Sequence, residues 1–262
     1  MAVIVVVPSP DTATDPSRIA ASLVSSLRAV RGQVPAADRI KAVEFADLRS
    51  RPEPPAAAEE AALIERRILE GWWAAAVRAG QGRGQPADLP RALAETVHFA
   101  HQYRPPEDMA RELRRYLTDR KFRHELRDRT QACVGPETKV VVGHALGALI
   151  AYEALCSVSD SIAVTLVTLG PALCGPPVVF ELLDPAPRSN QGEWPAAVRH
   201  WFNIVAHTDL TALSESRLTA RFGPGIDDMV IEPRAVTESL TGYLLDRSTG
   251  LAVATGLTTE YR

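Results

Sequence analysis

The residues most open to a chemical reading lie in Val140-Val-Val-Gly-His-Ala-Leu-Gly147. Here a β-branched run meets two glycines four positions apart, and the helix-forming stretch Ala148-Leu-Ile-Ala-Tyr-Glu-Ala-Leu155 follows. Glycines at this spacing let backbone pass closely through a sharp strand-to-helix turn. The residue midway between them is held at the strand end, beside the helix N-terminus. That position suits a nucleophile, but it holds Ala145, whose methyl group cannot attack a carbonyl. The plainer alternative is a βα turn that needs glycine only for tight packing.

A carboxylate and a base should accompany such a turn. Asp209 stands at the end of the run Phe202-Asn-Ile-Val-Ala206, where it reads either as a site carboxylate or as the N-cap of a helix over Leu210 to Arg221. The six histidines are His98, His101, His124, His144, His200 and His207, so none follows Asp209. After the first apolar run comes Pro8-Ser9-Pro10. Proline has no N–H to offer an oxyanion, which leaves the Ser9 side chain as the donor there.

Taken together, Gly143-His144-Ala145-Leu146-Gly147, the strand-like Leu166-Val-Thr-Leu-Gly170 and the acid-bearing Thr208-Asp209-Leu210 resemble the α/β-hydrolase superfamily, in its esterase- and lipase-like members. The resemblance runs from about Leu113 to Gly256; before that only the first strand fits. It implies a nucleophile elbow with alanine in place of serine at 145, an acid at Asp209, and a histidine position in Ala235-Val-Thr-Glu-Ser-Leu-Thr-Gly-Tyr-Leu244 that holds Glu238. Gly143, His144, Leu146, Gly147, Pro8 and Ser9 would then line the elbow and pocket. A carboxylate is a poor base for a serine hydroxyl, and beside Asp209 one of the two would tend to keep a proton.

These elements need a sheet to position them. The runs Ala2–Val7, Ile40–Phe45, Lys139–Val142, Ile162–Leu169, Phe202–Ala206 and Met229–Ile231 read as strands, the apolar ones suited to a sheet covered on both faces. Asp15-Pro16-Ser17 starts a helix with Ile19, Leu23, Leu27 and Val30 at helical spacing, and Val236–Leu245 reads as another. From about 56 to 133 the pattern is long and helical. The expected fold is therefore α/β: one doubly wound, mostly parallel sheet flanked by helices over 1–262, with a helical insertion before the elbow strand. Gly80–Gln85, with three glycines in five positions, reads as a mobile loop. Trp72 and Trp73 read as buried against the sheet or as a partner face. The alternating charges between Arg104 and Arg129 read as a solvated helix face laced with ion pairs.

The 262 residues carry 29 basic and 32 acidic side chains, a balance that gives no reason to expect nucleic acid. No apolar run reaches the roughly 18 residues of a membrane span. Three cysteines make no disulfide framework, so a reducing, cytoplasmic setting is the simplest. Cys174 reads as a small buried hydrophobe, His144 as a residue behind the elbow, and His207 as badly placed to replace the missing histidine. No ligand spacing points to zinc or calcium, no glycine-rich phosphate loop follows a strand, and no cofactor is expected.

The leading expectation is a hydrolase homologue without a working triad that binds a small molecule, an acyl-type ligand or a protein partner. The alternatives are a non-hydrolytic enzyme, such as a cyclase or lyase, working through Asp209 and Glu238, and an ester hydrolase inactivated by an engineered serine-to-alanine change. Because the turn, the base and the oxyanion loop all depart together, loss of the triad is favoured over a single engineered change.

Overall fold

A computed structural model describes residues 2–11, 15–49, 51–52, 58–100, 104–170, 172–173, 175–210, 217–232 and 240–259. Six strands form one all-parallel sheet: β1 (Ile4–Val7), β2 (Ile40–Ala42), β3 (Val140–His144), β4 (Val164–Leu169), β5 (Val198–Ala206) and β6 (Ile226–Ile231). Their order is β2-β1-β3-β4-β5-β6. The chain leaves β1 toward β2 on one side and returns to β3 on the other, so its direction across the sheet reverses between β1 and β3.

Both faces are buried, as continuous apolar runs require. Val5, Val7, Val141, Val164 and Leu166 join one core, while Ile4, Val6, Val140, Val142 and Val167 join the other. The second face is covered by α1 (Pro16–Ala29) together with α11 (Leu240–Leu245) and α12 (Arg247–Thr258). Asp15 caps α1 by accepting from the Ser17 N–H at 2.9 Å, with Pro16 at the first turn. Helix α12 has no counterpart in the sequence reading, because Gly250 and Gly256 dilute its pattern. Both pack tightly, against the Ser26 carbonyl and against Thr165 and Val140.

The first face carries the helices that lie between β2 and β3. After α2 (Ala46–Arg49) come α3 (Ala58–Arg78), α4 (Leu89–Ala94), α5 (Val97–Ala100), α6 (Pro106–Thr118) and α7 (Arg120–Gln131), beside α8 (Leu146–Cys156) and α9 (Pro177–Glu181). A last short helix, α10 (Thr219–Phe222), precedes β6.

Several expected bounds shift. β2 ends at Ala42, and Ile162 lies in a turn before β4. β5 begins at Val198 and not at Phe202, because the exposed Arg199 and half-buried His200 mask its start. β6 begins at Ile226, with Asp227 and Asp228 on a sheet edge, where charge discourages pairing with other chains.

Gly80–Gln85, read from its composition as a mobile loop, makes two polar contacts with its surroundings. The Trp73 indole N–H donates to the Gly84 carbonyl at 2.8 Å, and the Gln81 side chain accepts from the Val97 N–H at 2.9 Å. Trp72 is half-buried against Phe99.

The charged helices are not simply a solvated face either. Glu153 on α8 is completely buried. It accepts from the Tyr116 hydroxyl at 2.6 Å, Arg123 Nε at 2.8 Å and the Asp184 N–H at 3.0 Å. Arg123 also donates to the Leu182 carbonyl at 2.9 Å. This carboxylate therefore binds α6, α7 and the segment after α9 to the helix that leaves the elbow. Burial, with the carboxylate beside it, holds the Tyr116 hydroxyl protonated well above its usual range. Removing one partner of such a pair strands the other's charge. Arg123→Met is expected to cost about 3–5 kcal/mol of unfolding free energy in urea titrations, whereas a cost below about 1 kcal/mol, as for an exposed pair, would show the network to be loose.

Candidate functional site

The elbow segment forms a sharp turn between β3 and α8. Ala145 sits there at φ 50°, ψ −126°, where side chains of L-residues are strained. Its N–H donates to the Leu169 carbonyl and its carbonyl accepts from the Ala148 N–H, both at 2.9 Å. The glycines are demanded by contact. A Cβ on Gly147 would lie 2.1 Å from the Val7 carbonyl oxygen and 2.6 Å from that of Pro8. One on Gly143 would lie 2.5 Å from the Ala148 Cα. Leu146 starts α8 and is buried in the first core.

Asp209 lies just past the end of β5 and is 1% exposed. Its Oδ2 accepts from the Tyr243 hydroxyl at 2.6 Å and from the Ala206 N–H at 2.8 Å. Its Oδ1 faces His98 Nδ1 at 3.3 Å. The carboxylate thus turns back on its own strand, reaching Tyr243 on α11 and His98 on α5. Phe99 and Leu210 then pack with Ala75, Ala76 and Leu93, so α3–α5 lie over this end of the sheet.

The Asp209 cluster borders the elbow. The Cβ position of Gly170 is 3.8 Å from the Ala145 amide nitrogen and 3.9 Å from the Tyr243 hydroxyl. His144 is buried, with its ring 5.5 Å from the Tyr243 ring. Glu238 and Cys174 lie outside the described residues. His207 is exposed.

The opposite wall follows β1. Pro8 lies against Gly147, and Ser9 is buried beside it. The Ser9 hydroxyl donates to Glu112 Oε1, on α6, at 3.5 Å, and the Asp11 N–H donates to the same oxygen at 3.2 Å. Arg104 donates to Glu112 Oε2 at 2.6 Å and also pairs with Asp11. Burial pushes the Glu112 carboxyl up to about 7, although Arg104 opposes the shift.

His98, Tyr243 and Glu112 were not singled out from the sequence. His98 and Glu112 come from the helical segment before the elbow, where chain order gave no reason to look. The one signal for Tyr243 was its place in the stretch aligned with the missing histidine.

A groove of about 560 Å³ lies at the other end of the sheet, lined by Val3, Asp38, Arg39, Glu137 and Lys139 among others. Its Arg39 and Glu137 pair with each other at 2.9 Å, and it is remote from the elbow. Among the described residues no group of three or more His, Cys, Asp or Glu side chains could hold a metal ion, and no helix is long and apolar enough to cross a membrane. Burial pushes the Cys156 thiol up to about 12. Comparisons with protein-family models, curated proteins and solved structures found no match.

The Glu112 geometry has a measurable signature. Its carboxyl keeps a proton in the folded state up to about 7, whereas the unfolded chain loses it near the ordinary glutamate value. Between these values the native state binds more protons, so stability falls as pH rises. Glu112→Gln is expected to flatten this part of the profile in urea titrations from pH 4.5 to 7. An unchanged slope would mean that Glu112 titrates normally.

Proposed function

We propose that this chain is an α/β-hydrolase-like protein that binds a small molecule over the carboxyl ends of β1 and β3, without forming an acyl-enzyme on residue 145. The observation that carries this reading is Ala145 itself. Its backbone strain costs about 1–3 kcal/mol, yet its side chain can do no chemistry. Strain of this kind concentrates at ligand and catalytic sites, which favours a site in use over an idle turn. The sheet supports it too, since open parallel sheets take ligands where the strand order reverses, here between β1 and β3.

The acid–base alternative through Asp209 and Glu238 gains nothing from this geometry. Asp209 is buried and already engaged by Tyr243, the Ala206 N–H and His98. One observation favours a second reading. His98 Nδ1 faces Asp209, the kind of pairing by which a carboxylate orients a histidine base. On that reading the protein is an ester hydrolase disabled at one residue.

The two readings separate in hydrolysis of activated esters of graded chain length by the parent protein and Ala145→Ser. The binding reading expects no gain from the serine. The disabled-hydrolase reading requires a gain of at least about 10²-fold, the scale of an assisting base, that disappears when His98→Gln is added. For the ligand itself, small molecules that raise the melting temperature of the parent should fail to do so for Ala145→Leu, which adds bulk at the turn. Equal stabilisation of both proteins would place the ligand elsewhere.

A further inference from the structure

The second wall of the elbow holds a hydroxyl and a carboxylate that neither reading uses. Ser9 lies on the loop leaving β1, in backbone contact with the start of α8 through Pro8 and Gly147. Its hydroxyl is directed at Glu112 Oε1. Glu112 is fixed in turn by Arg104 on its other oxygen and by the Asp11 N–H. A hydroxyl within reach of a base that a third group orients is the general form of an activated nucleophile, and such contacts are often long before substrate binds. α8, an eleven-residue helix, starts against this loop, and the positive end of its dipole favours a developing oxyanion there.

We propose that Ser9 is the nucleophile of this site and Glu112 its general base, acting on acyl esters or thioesters bound over the carboxyl ends of β1 and β3. This rests on the binding site proposed above and moves the chemistry from residue 145 to the neighbouring wall. Ser9 Oγ forms a bond to the acyl carbon as its proton passes to Glu112. The leaving alkoxide or thiolate departs with the bonding electron pair and takes that proton. Water or another hydroxyl then releases the acyl group by the reverse proton path.

Glu112 must be ionised to accept the proton, and its carboxyl is poised near 7. Among the described residues, the charged groups facing it are Arg104, which is bonded to it, Arg115 on the same helix, and Asp11 across Arg104. Reaction should therefore accelerate as pH rises through about 7.

The experiment is labelling of the intact protein with a fluorophosphonate, followed by peptide mapping. The phosphorus–oxygen bond to Ser9 replaces phosphorus–fluorine, fluoride leaves, and Glu112 takes the proton. The expected result is a single adduct on Ser9 whose rate rises with pH to a plateau above about 7. Glu112→Gln should slow it by about 10²-fold, the contribution of a positioned base, while Ser9→Ala should abolish it with an unchanged melting temperature. An adduct on another residue, or none, overturns the proposal in the parent protein, so no variant has to fold for the test to count. Ala145→Leu separates the two ideas. If it slows labelling of Ser9, nucleophile and binding site share one space. If Ser9 labels at the parental rate, the nucleophile stands and the binding site over the elbow falls.

Discussion

The rest of the architecture hangs on the clearance between the start of α8 and the end of β1. Gly147 lies so close to the Val7 and Pro8 carbonyls that no other residue fits without moving backbone. Gly143 meets the Ala148 backbone in the same way. With both contacts closed, β3 must turn into α8 within a single residue, and that residue takes the strained conformation. Ala145 is held there from both sides, by the Leu169 carbonyl and the Ala148 N–H. The turn's geometry is thus set by packing and needs nothing from the side chain at 145, which explains how alanine occupies it without collapse.

Holding α8 in place is a separate task, and Glu153 performs it. A fully buried carboxylate is costly unless its lone pairs are filled. Tyr116, Arg123 and the Asp184 N–H fill them. Because those partners come from three segments, satisfying one charge fixes the helical layer relative to the elbow. The same layer reaches over the sheet to place His98 against Asp209 and Glu112 against Ser9. Packing below the elbow and the polar groups around it are consequently one mechanical unit.

Much of this was legible in the residues. The β-branched runs of β1, β3 and β4 announce strands buried on both faces, and the glycine spacing of 143 and 147 announces the turn between β3 and α8. Less was legible where polar residues sit in regular structure: Arg199 and His200 concealed the start of β5, Asp227 and Asp228 that of β6, and Gly250 and Gly256 all of α12. In the loop Gly80–Gln85, read as mobile from its composition, the approach of Gly82 to Trp73 was not legible either. Asp209 was found by its place at a strand end. Its partners were not, because His98 lies more than a hundred residues earlier and Tyr243 more than thirty residues later.

That difference has a physical basis. A strand or a turn is specified by neighbours in the chain, so its pattern is local. A polar cluster is specified by which side chains the layers bring together, and an inserted layer brings them in any order. Looking for a base after Asp209 assumed that chain order and spatial order agree, as they do within the sheet, where each strand end presents its own loop. The helices between β2 and β3 break that correspondence. They carry His98 to Asp209 and Glu112 to the loop after β1, across the top of strands that come both before and after them. The polar groups at this end of the molecule are therefore set by the helical layer: the sheet supplies a strained turn, and the layer decides which acids, bases and hydroxyls meet beside it.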